Sequence, residues 1–409
     1  MRATLSKFFG ATLFSVASLT MAAEIDVMTQ NQYLGAELTP VLVAGQSGDP
    51  VAFNAAVVQA LGKIAATRPA VRVRALSWQI QLRAPDVVGV QEAYEFTCAP
   101  LSPEQQVNPC EHPQLKAAFT NHLADTVRGL WPHYVLAAKV TNLKVEGIPF
   151  TLDGTNFALL GVTDRDAIFV RKPWKTKVVT LACQLPSDDG CNFLTRPDPL
   201  SLLGTTVNIN RGYAAVDVTV KGRDYRVFNT HLEQRELVPG LTASRFLQVG
   251  QAYELLQAAL VTAYDPARLL VVVGDFNSAP VDVIPVPPFP PTLPSPPFAP
   301  NPPTATPYQI FAGAGFVDAW TRRWFASPGY TCCQDEDLRN AESALYERID
   351  LIWLKPPAGT PAAALRAFDV RRLGALSINR IWIPGVGAVW PSDHAAVAAI
   401  ARRQLGVGA

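Results

Sequence analysis

A run of five apolar residues, Leu269–Val273, changes directly into a polar segment, and this change is the most informative pattern in the chain. A continuous apolar run of this length predicts a short strand that is buried on both faces. Because positions two apart lie on the same face of a strand, Asp275 and Asn277 project together from its end while Phe276 turns away. The pair suits an oxygen-bound cation or a nucleophilic water, and a strand followed by an Asp/Asn-rich turn explains it equally well.

Apolar periodicity predicts the remaining elements. Helical spacing predicts one helical segment over 51–83, broken at Pro69 and ended by Pro85, and further helices over 113–129 and 242–260. Alternating or continuous apolar runs predict strands, two of them joined by a hairpin turn at Lys221–Gly222. The other predicted strands are 25–31, 86–92, 134–140, 166–171, 177–181, 212–220, 225–230, 349–354, 365–371 and 395–400. Strand runs with few, separated helices favour an α/β (α+β) fold built on largely antiparallel or mixed sheets.

The segment 280–307 interrupts this pattern, because 13 of its 28 residues are proline. Such a composition is incompatible with regular core structure and predicts an extended loop or a flexible flap. No internal repeat is visible. We therefore expect a single domain over 24–409 with a proline-rich insertion.

The N-terminal residues 1–23 have the pattern of a secretory signal peptide: basic residues, a short apolar stretch and small residues before Glu24. Their removal changes the formal net charge of the 409-residue chain from +1 to −1, since Arg2 and Lys7 are lost and no acidic residue is. A near-neutral chain lacks the basic excess typical of proteins that hold long nucleic acids. We expect a secreted or periplasmic protein with no membrane-spanning segment after signal removal, and no motif indicates a protein partner.

Six cysteines in an exported chain are able to form disulfides. Each of two polar loops is flanked by a pair, Cys98 with Cys110 and Cys183 with Cys191, and local bridges are the simplest pairing. The adjacent Cys332 and Cys333 then form either a vicinal disulfide or two free thiols. Six cysteines permit about 15 connectivities, so this pairing is a hypothesis. No Cys/His spacing resembles a zinc site.

Polar residues of one chemical kind stand at the ends of the predicted strands. Carboxylates and amides of this kind suit a hard cation such as Mg²⁺, Mn²⁺ or Ca²⁺. Histidines beside them are able to move a proton or to face a phosphate oxygen. The residues are Asn31, Glu92, Asn229, His231, Asp275, Asn277, Asp350, Asp393 and His394.

The order of these motifs resembles that of the endonuclease/exonuclease/phosphatase superfamily, which has the DNase I-like fold. The motifs are Asn31, Val90–Glu92, Asn229–Leu232, Gly274–Ser278, Arg348–Asp350 and Ser392–His394, and the match spans about residues 25–400. The resemblance implies a four-layer sandwich of two mixed sheets packed face to face, with helices outside and the site at one end. It also implies a divalent cation, most simply Mg²⁺.

The resemblance further implies a role for each residue. Glu92 is expected to be the main metal ligand, with Asn31 and Asp393 beside it. His394, oriented by Asp350, is expected to be the general base or to face the phosphate, and His231 to contact the phosphate and assist the leaving group. Asp275 and Asn277 are expected to position the water and the transition-state oxygens, and the choice of base between His394 and Asp275 stays open.

Each residue also has a plainer interpretation. Glu92 would then be a solvated residue at the rim of the sheet, and His231 a buried histidine with its hydrogen bonds satisfied. Asp350 would form a salt bridge with Arg348. Asp166 and Arg211 are predicted to start strands beside the site, where Arg211 is either a phosphate contact or an ordinary surface arginine. The remaining histidines, His112, His122 and His133, lie outside the motifs.

The segment 379–390 bears on the substrate. It is apolar, carries Trp382 and Trp390 around a Gly/Pro turn, and directly precedes Ser392–His394. If exposed, it is suited to a lipid headgroup interface, as in the aromatic hairpin of secreted bacterial sphingomyelinases, which it resembles; if packed inward, it is core. We predict that the substrate contacts both tryptophans, Arg211 and Asn229.

The sequence thus predicts a secreted, metal-dependent phosphodiester hydrolase that makes transient contact with a lipid surface, its substrate a phospholipid or sphingomyelin head group. The alternatives are a secreted nuclease that cleaves DNA or RNA and an inactive binding protein on the same fold.

Overall fold

The computed structural model describes residues 24–235, 243–262, 265–283, 305–323 and 325–403. Within these ranges the helices are α1 (Thr39–Ser47), α2 (Pro50–Ala66), α3 (Pro69–Arg83), α4 (His122–Leu130), α5 (Ala243–Gln257) and α6 (Pro307–Gly313). The strands are β1 (Glu24–Asn31), β2 (Val87–Gln91), β3 (Glu95–Pro100), β4 (Tyr134–Thr151), β5 (Phe157–Arg171), β6 (Lys175–Val178), β7 (Pro186–Ser187), β8 (Gly190–Asn192), β9 (Leu200–Leu202), β10 (Thr205–Val207), β11 (Gly212–Val220), β12 (Arg223–His231), β13 (Leu269–Asp275), β14 (Val317–Asp318), β15 (Asp350–Lys355), β16 (Leu365–Leu373), β17 (Ile381–Ile383), β18 (Gly387–Val389) and β19 (Ala396–Arg403).

Two mixed sheets organise these strands. The first has the order β16-β19-β1-β2-β5-β3, with β4 also paired to β5. The second has the order β14-β15-β13-β12-β11-β8-β7, with β6 also paired to β11. Within each sheet one pair is parallel, β1 with β2 and β12 with β13, and the other pairs are antiparallel. Two short hairpins, β9–β10 and β17–β18, stand apart from both sheets.

The sheets pack face to face, and helices cover both outer faces. Val27 from the first sheet and Val271 from the second belong to one buried cluster between the sheets. Met28, one residue along, packs with Ile80 of α3 on one outer face, and Val272 packs with Leu255 of α5 on the other. Strands buried on both sides explain the uninterrupted apolar runs in the sequence. The result is the four-layer sandwich expected from the resemblance.

Most predicted elements are confirmed, and some boundaries are wrong. The helical segment 51–83 is the pair α2 and α3, broken at Pro69 as expected. The helix predicted over 113–129 begins only at His122, because the Asn121 side chain accepts a bond from the Ala124 amide and caps the helix there. Asp166 does not start a strand but lies inside β5, opposite Val140. Residues 1–23 and 284–304, which include the predicted signal peptide and most of the proline-rich insertion, lie outside the described residues.

The structure pairs Cys98 with Cys110 and Cys183 with Cys191, as their spacing predicts. It also joins the adjacent Cys332 and Cys333. Among the described residues we find no helix of the length and apolar character needed to cross a membrane.

Candidate active site

The directions of six strands explain why distant polar residues meet at one end of the sandwich. The parallel strands β1, β2, β12 and β13 all end there, and their antiparallel neighbours β15 and β19 begin there. The register confirms this, since Asn31 is opposite Gln91, and Asp275 is opposite both His231 and Asp350. The site therefore combines residues from both sheets.

A close backbone approach fixes the strand that carries Asp275. A Cβ atom at Gly274 would lie 2.1 Å from the carbonyl oxygen of Thr230 on the paired strand, and the φ angle of Gly274 is +153°. Only glycine fits that position without displacing β12. Gly274 thus allows β12 and β13 to deliver His231 and Asp275 side by side.

Asn31 connects the carboxylates of the two sheets. Its Nδ2 donates to Glu92 Oε1 at 3.0 Å and to Asp275 Oδ2 at 3.1 Å. Glu92 Oε2 accepts a bond from the Leu34 amide at 3.0 Å. Glu92 also has a positive φ of 56°, which is uncommon for a residue with a side chain and directs this carboxylate out of the strand line.

His394 is held by Asp350. Its Nδ1 lies 2.8 Å from Asp350 Oδ2, and its Nε2 lies 3.9 Å from Asp393 Oδ1. Although burial lowers the pKa of His394, Asp350 and Asp393 raise it well above its ordinary value. Asp350 thus both orients His394 and favours its imidazolium form.

The pKa of His231 is shifted in the opposite direction. Arg211 Nη1 lies 3.1 Å from His231 Nδ1, and Asn277 Nδ2 lies 3.1 Å from His231 Nε2, so a donor group faces each ring nitrogen. Burial, together with Arg211 and His394, holds the pKa of His231 well below its ordinary value. These surroundings favour the neutral imidazole, whose Nε2 lies 3.6 Å from Asp275 Oδ2.

Arg211 is not an ordinary surface arginine. Its side chain is nearly buried, 3.3 Å from Glu233 Oε1 and 3.8 Å from Asp164 Oδ2. Burial by itself lowers the pKa of Arg211, but Glu233 and Asp164 raise it, so the guanidinium stays charged. A buried, charged guanidinium beside His231 is placed to attract a phosphate oxygen.

Asp275 and Asn277 face the same space, as the alternation predicted. The backbone amide of Asn277 donates to Asp275 Oδ1 at 2.9 Å, and the side-chain Nδ2 of Asn277 donates to the Leu232 carbonyl at 3.0 Å. Phe276 turns into the outer core, as expected. Burial, followed by the neighbouring Asp350 carboxylate, raises the pKa of Asp275. A carboxylate of raised basicity is better suited to accept a proton from water.

The residues present fit a hard divalent cation. Glu92, Asp275 and Asp393 all line the cavity, and Glu92 and Asp393 are the more exposed of these carboxylates. Burial, with a smaller contribution from the Glu92 carboxylate, raises the pKa of Asp393 to about 7 although His394 lowers it, and a bound cation would favour the charged carboxylate. An all-oxygen set with an open side matches Mg²⁺, which keeps several of its waters.

A second acidic set lies deeper. Ligand atoms of Asp275, Asp350 and His394 fall within 4.8 Å of one another, and Asp350 Oδ1 is buried with no hydrogen-bond partner among the described residues. Asp350 already engages the Nδ1 of His394, however. Because a ring nitrogen bonded to a carboxylate through its proton is not free for a metal, this set orients the histidine, and Glu92, Asn31 and Asp393 suit the cation better.

Arg72 is a functional neighbour that the sequence analysis missed. It is fully buried and donates to the carbonyls of Gln32 and Pro391 at 3.1 and 3.0 Å, and to that of Tyr33 at 3.0 Å. It thereby ties the loop after Asn31 to the loop before Asp393. An isolated arginine in a helical pattern gives no sequence signal for this role.

Two predicted substrate contacts are wrong. Asn229 is fully buried between the sheets, where Nδ2 donates to the carbonyls of Val90 and Ala167 and Oδ1 accepts from Gln91, so no polar atom remains for a substrate. Trp390 is also fully buried, packed in a cluster with Tyr33. Of the two tryptophans only Trp382 is exposed, at 75%.

The plainer interpretation of Asp350 also fails. Arg348 donates to Asp318 Oδ2 at 2.6 Å, and Asp350 pairs with His394 instead. His231 is buried, as its plainer interpretation held, yet it lines the same cavity as the carboxylates. Glu92 is half-buried and bonded on both oxygens, so it is not a solvated rim residue.

The polar cluster lines one end of a cavity of about 450 Å³. Glu92, Arg211, His231, Asp275, Asn277, Asp393 and His394 all contribute to its wall. A cavity of this size is typical of small-molecule sites, which measure about 300–1,000 Å³.

No protein-family model matches the chain, and no curated protein matches it. Among solved structures it is similar to an endonuclease/exonuclease/phosphatase from Beutenbergia cavernae (19% identity over 93% of this chain and 72% of that one, TM-score 0.48). It is also similar to truncated TDP2 from Caenorhabditis elegans (15% identity, 93% and 98% covered, TM-score 0.45) and to a mannosyl-6-phosphatase from Bacteroides thetaiotaomicron (15%, 92% and 99%, TM-score 0.43). In its ordered motifs and its two-sheet architecture, the chain resembles the endonuclease/exonuclease/phosphatase superfamily.

Proposed function

We propose that this protein is a secreted, divalent-metal-dependent phosphodiester hydrolase. The observation that carries the proposal is the pair of histidines on either side of Asp275, with His231 Nε2 at 3.6 Å and His394 Nδ1 at 3.8 Å from Asp275 Oδ2. Their surroundings shift the two histidine pKa values in opposite directions. Neighbouring groups whose pKa values are pushed apart are the arrangement that acid–base chemistry requires. Guanidinium, imidazolium and carboxylates facing one cavity add the charges that a phosphoester site needs.

We assign the roles from the positions of these groups. Glu92, Asn31 and Asp393 would hold the cation, which when bound neutralises charge on the phosphate oxygens. Asp275 and Asn277 orient the attacking water, and Asp275 accepts its proton. His394 and Arg211 stabilise the charge on the phosphoryl oxygens, and His231 faces the phosphate and the leaving oxygen, which takes its proton from solvent. The attack of water on phosphorus breaks one P–O bond and yields a phosphomonoester and an alcohol.

For the substrate we propose a phospholipid-type diester, such as sphingomyelin. Trp382 on the β17–β18 hairpin is exposed, as are Leu376 and Ile378 immediately before it. An exposed apolar patch of this kind suits transient contact with a lipid surface. Cleavage of DNA or RNA is the alternative that the same chemistry allows, and the near-neutral charge of the chain disfavours it.

A hydrolysis panel tests the proposal. Bis-p-nitrophenyl phosphate, sphingomyelin, phosphatidylcholine, plasmid DNA and RNA are each incubated with Mg²⁺, Mn²⁺ or Ca²⁺ and with a chelator. We expect metal-dependent hydrolysis that Glu92→Ala and His394→Ala abolish. The matched controls, Glu146→Ala and His133→Ala, change exposed residues outside the site and should keep wild-type rates. Plasmid nicking without lipid hydrolysis would favour the nuclease, and no turnover with any metal would indicate a binding protein.

A further inference from the structure

The cavity that holds the polar cluster does not end there. It continues between α1, α2 and the strands β3, β4 and β5, and the wall of this extension is aliphatic. Representative lining residues are Leu42, Val57, Ile148, Val162, Val207 and Ile209. One cavity therefore has a charged end and an apolar end.

The change from polar to apolar wall is abrupt. Tyr94 follows Glu92 by two residues, and Ile209 precedes Arg211 by two residues, and all four side chains line the cavity. The apolar extension thus begins directly beside the groups that would bind a phosphate and a cation. A ligand bound at the charged end can therefore place an apolar substituent in the extension.

Helix α1 and the β9–β10 hairpin close one side of the extension. They are in direct contact, since a Cβ atom at Gly45 would lie 2.5 Å from Leu202 Cδ2, and the Leu203 amide faces the Gly45 carbonyl at 3.4 Å. Val41 of the helix and Leu202 of the hairpin both line the cavity. The extension is therefore an internal pocket and differs from the exposed patch around Trp382.

The chemistry of the wall selects the occupant. In the parts of the chain that line the extension, 34–64 and 96–209, the charged or hydroxyl-bearing lining residues among those described are Glu37 and Thr39, which bond to each other at 2.7 Å. The other such lining residues outside the polar cluster are Tyr33, Tyr94, Arg235, Tyr346 and Glu347. A nucleobase placed there would bury nitrogen and oxygen atoms without partners, which is costly. A hydrocarbon chain has no such atoms and gains free energy from every methylene that leaves water.

We infer that the extension binds the hydrocarbon chain of an amphiphilic phosphodiester whose phosphate lies at the charged end. This inference rests on the proposed function, because it assigns a substrate class to that same site. The hydrocarbon chain of the substrate would then determine specificity by binding inside the protein, in addition to any contact between the protein and a lipid surface.

A series of p-nitrophenyl alkyl phosphodiesters tests the inference. The methyl, butyl, octyl and dodecyl members share one scissile bond and one leaving group, and each is assayed with Mn²⁺ below its critical micelle concentration. We expect kcat/KM to rise with chain length by up to roughly threefold to fourfold per buried methylene, and then to level off when the pocket is full.

A matched pair of variants on one helix locates the effect. Val41→Trp fills the pocket, whereas Val43→Trp makes the same change at a residue that is 48% exposed and does not line the cavity. We expect Val41→Trp to remove the gain with long chains, and Val43→Trp to behave as wild type. Ile148→Trp, on β4, tests the pocket from its other wall.

The outcomes separate this inference from the proposed function. If wild type hydrolyses the methyl diester with no gain from longer chains, or if both pocket variants keep the gain, the inference is wrong and the proposed function stands. If no member is hydrolysed, calorimetry with dodecyl phosphate decides. Binding that Val41→Trp weakens supports the pocket without the hydrolase, and no binding overturns the inference.

Discussion

Asn229 offers the sharpest test of how the two sheets are held together. Its side chain donates from Nδ2 to the carbonyls of Val90 and Ala167, both at 3.0 Å, and accepts at Oδ1 from Gln91 Nε2 at 2.6 Å. The opposite strand leaves room for it, because a Cβ atom at Gly89 would lie 2.4 Å from Asn229 Oδ1. Replacement of Asn229 by Ala leaves three buried polar groups without their partner.

The magnitude follows from those three groups. Leaving a buried donor or acceptor unsatisfied costs about 1–3 kcal/mol. The low end applies here because a carbonyl oxygen has a second lone pair, so three groups at ~1 kcal/mol give about 3 kcal/mol. With a denaturant dependence of about 3 kcal/mol per M, Asn229→Ala should lower the urea midpoint by about 1 M.

Equilibrium unfolding in urea, followed by tryptophan fluorescence, measures this shift. The control is Asn156→Ala, which removes a side chain bonded to Asp153 in a surface turn and should change the free energy of unfolding by no more than about 0.5 kcal/mol. If Asn229→Ala instead keeps the wild-type midpoint and raises KM for a diester, Asn229 contacts the substrate, as the sequence analysis predicted, and our structural assignment is wrong.

Three further predictions concern pH, backbone packing and metal binding. Burial lowers the pKa of His122 to about 3, so the stability that its neutral form contributes is present above the unfolded pKa of about 6.5 and is lost as the pH falls towards 3. When the pH falls from 7 to 5, the free energy of unfolding should decrease by about 2 kcal/mol more in wild type than in His122→Leu. An equal decrease in both proteins would contradict a buried, neutral His122. Gly274→Ala should lower Tm strongly, because its Cβ meets a backbone oxygen, whereas Gly62→Ala, in open space on α2, should raise stability by up to about 1 kcal/mol; thermal unfolding of both distinguishes a close approach from a general glycine effect. Calorimetry with Mn²⁺ should detect at least tenfold weaker binding in Glu92→Ala and no change in Glu146→Ala, and unchanged affinity in both would remove Glu92 from the metal site.

The sequence was most informative where burial is simplest. The run Leu269–Val273 is apolar without interruption because β13 is covered on both faces, so the strand and the direction of Asp275 at its end could both be predicted. Pro69 separates α2 from α3 because it cannot continue the preceding helix. These signals are local, and the structure confirms them.

Local signals failed where the structure depends on distant partners. β4 and β5 are longer than their predicted segments because register shifts after Leu136, Thr141 and Val145 interrupt the alternation of apolar positions. The role of Asn229 depends on Val90, 139 positions away, and no local pattern encodes that contact. The apolar extension of the cavity was missed for a related reason: aliphatic residues predict a core whether or not a space is left between them.

The division of the site between the two sheets has a consequence for when the site forms during folding. Ser392 Oγ donates to the Asn31 carbonyl across 361 positions of sequence, and β19 is the strand that pairs with β1 on the side away from β2. Until β19 is inserted, β1 has an open edge, and Asp393 and His394 are not in place. Contacts so far apart in sequence form late and slowly. A chain in which β19 has not yet paired with β1 therefore lacks Asp393 and His394 at the site, so we expect activity only after this pairing has formed.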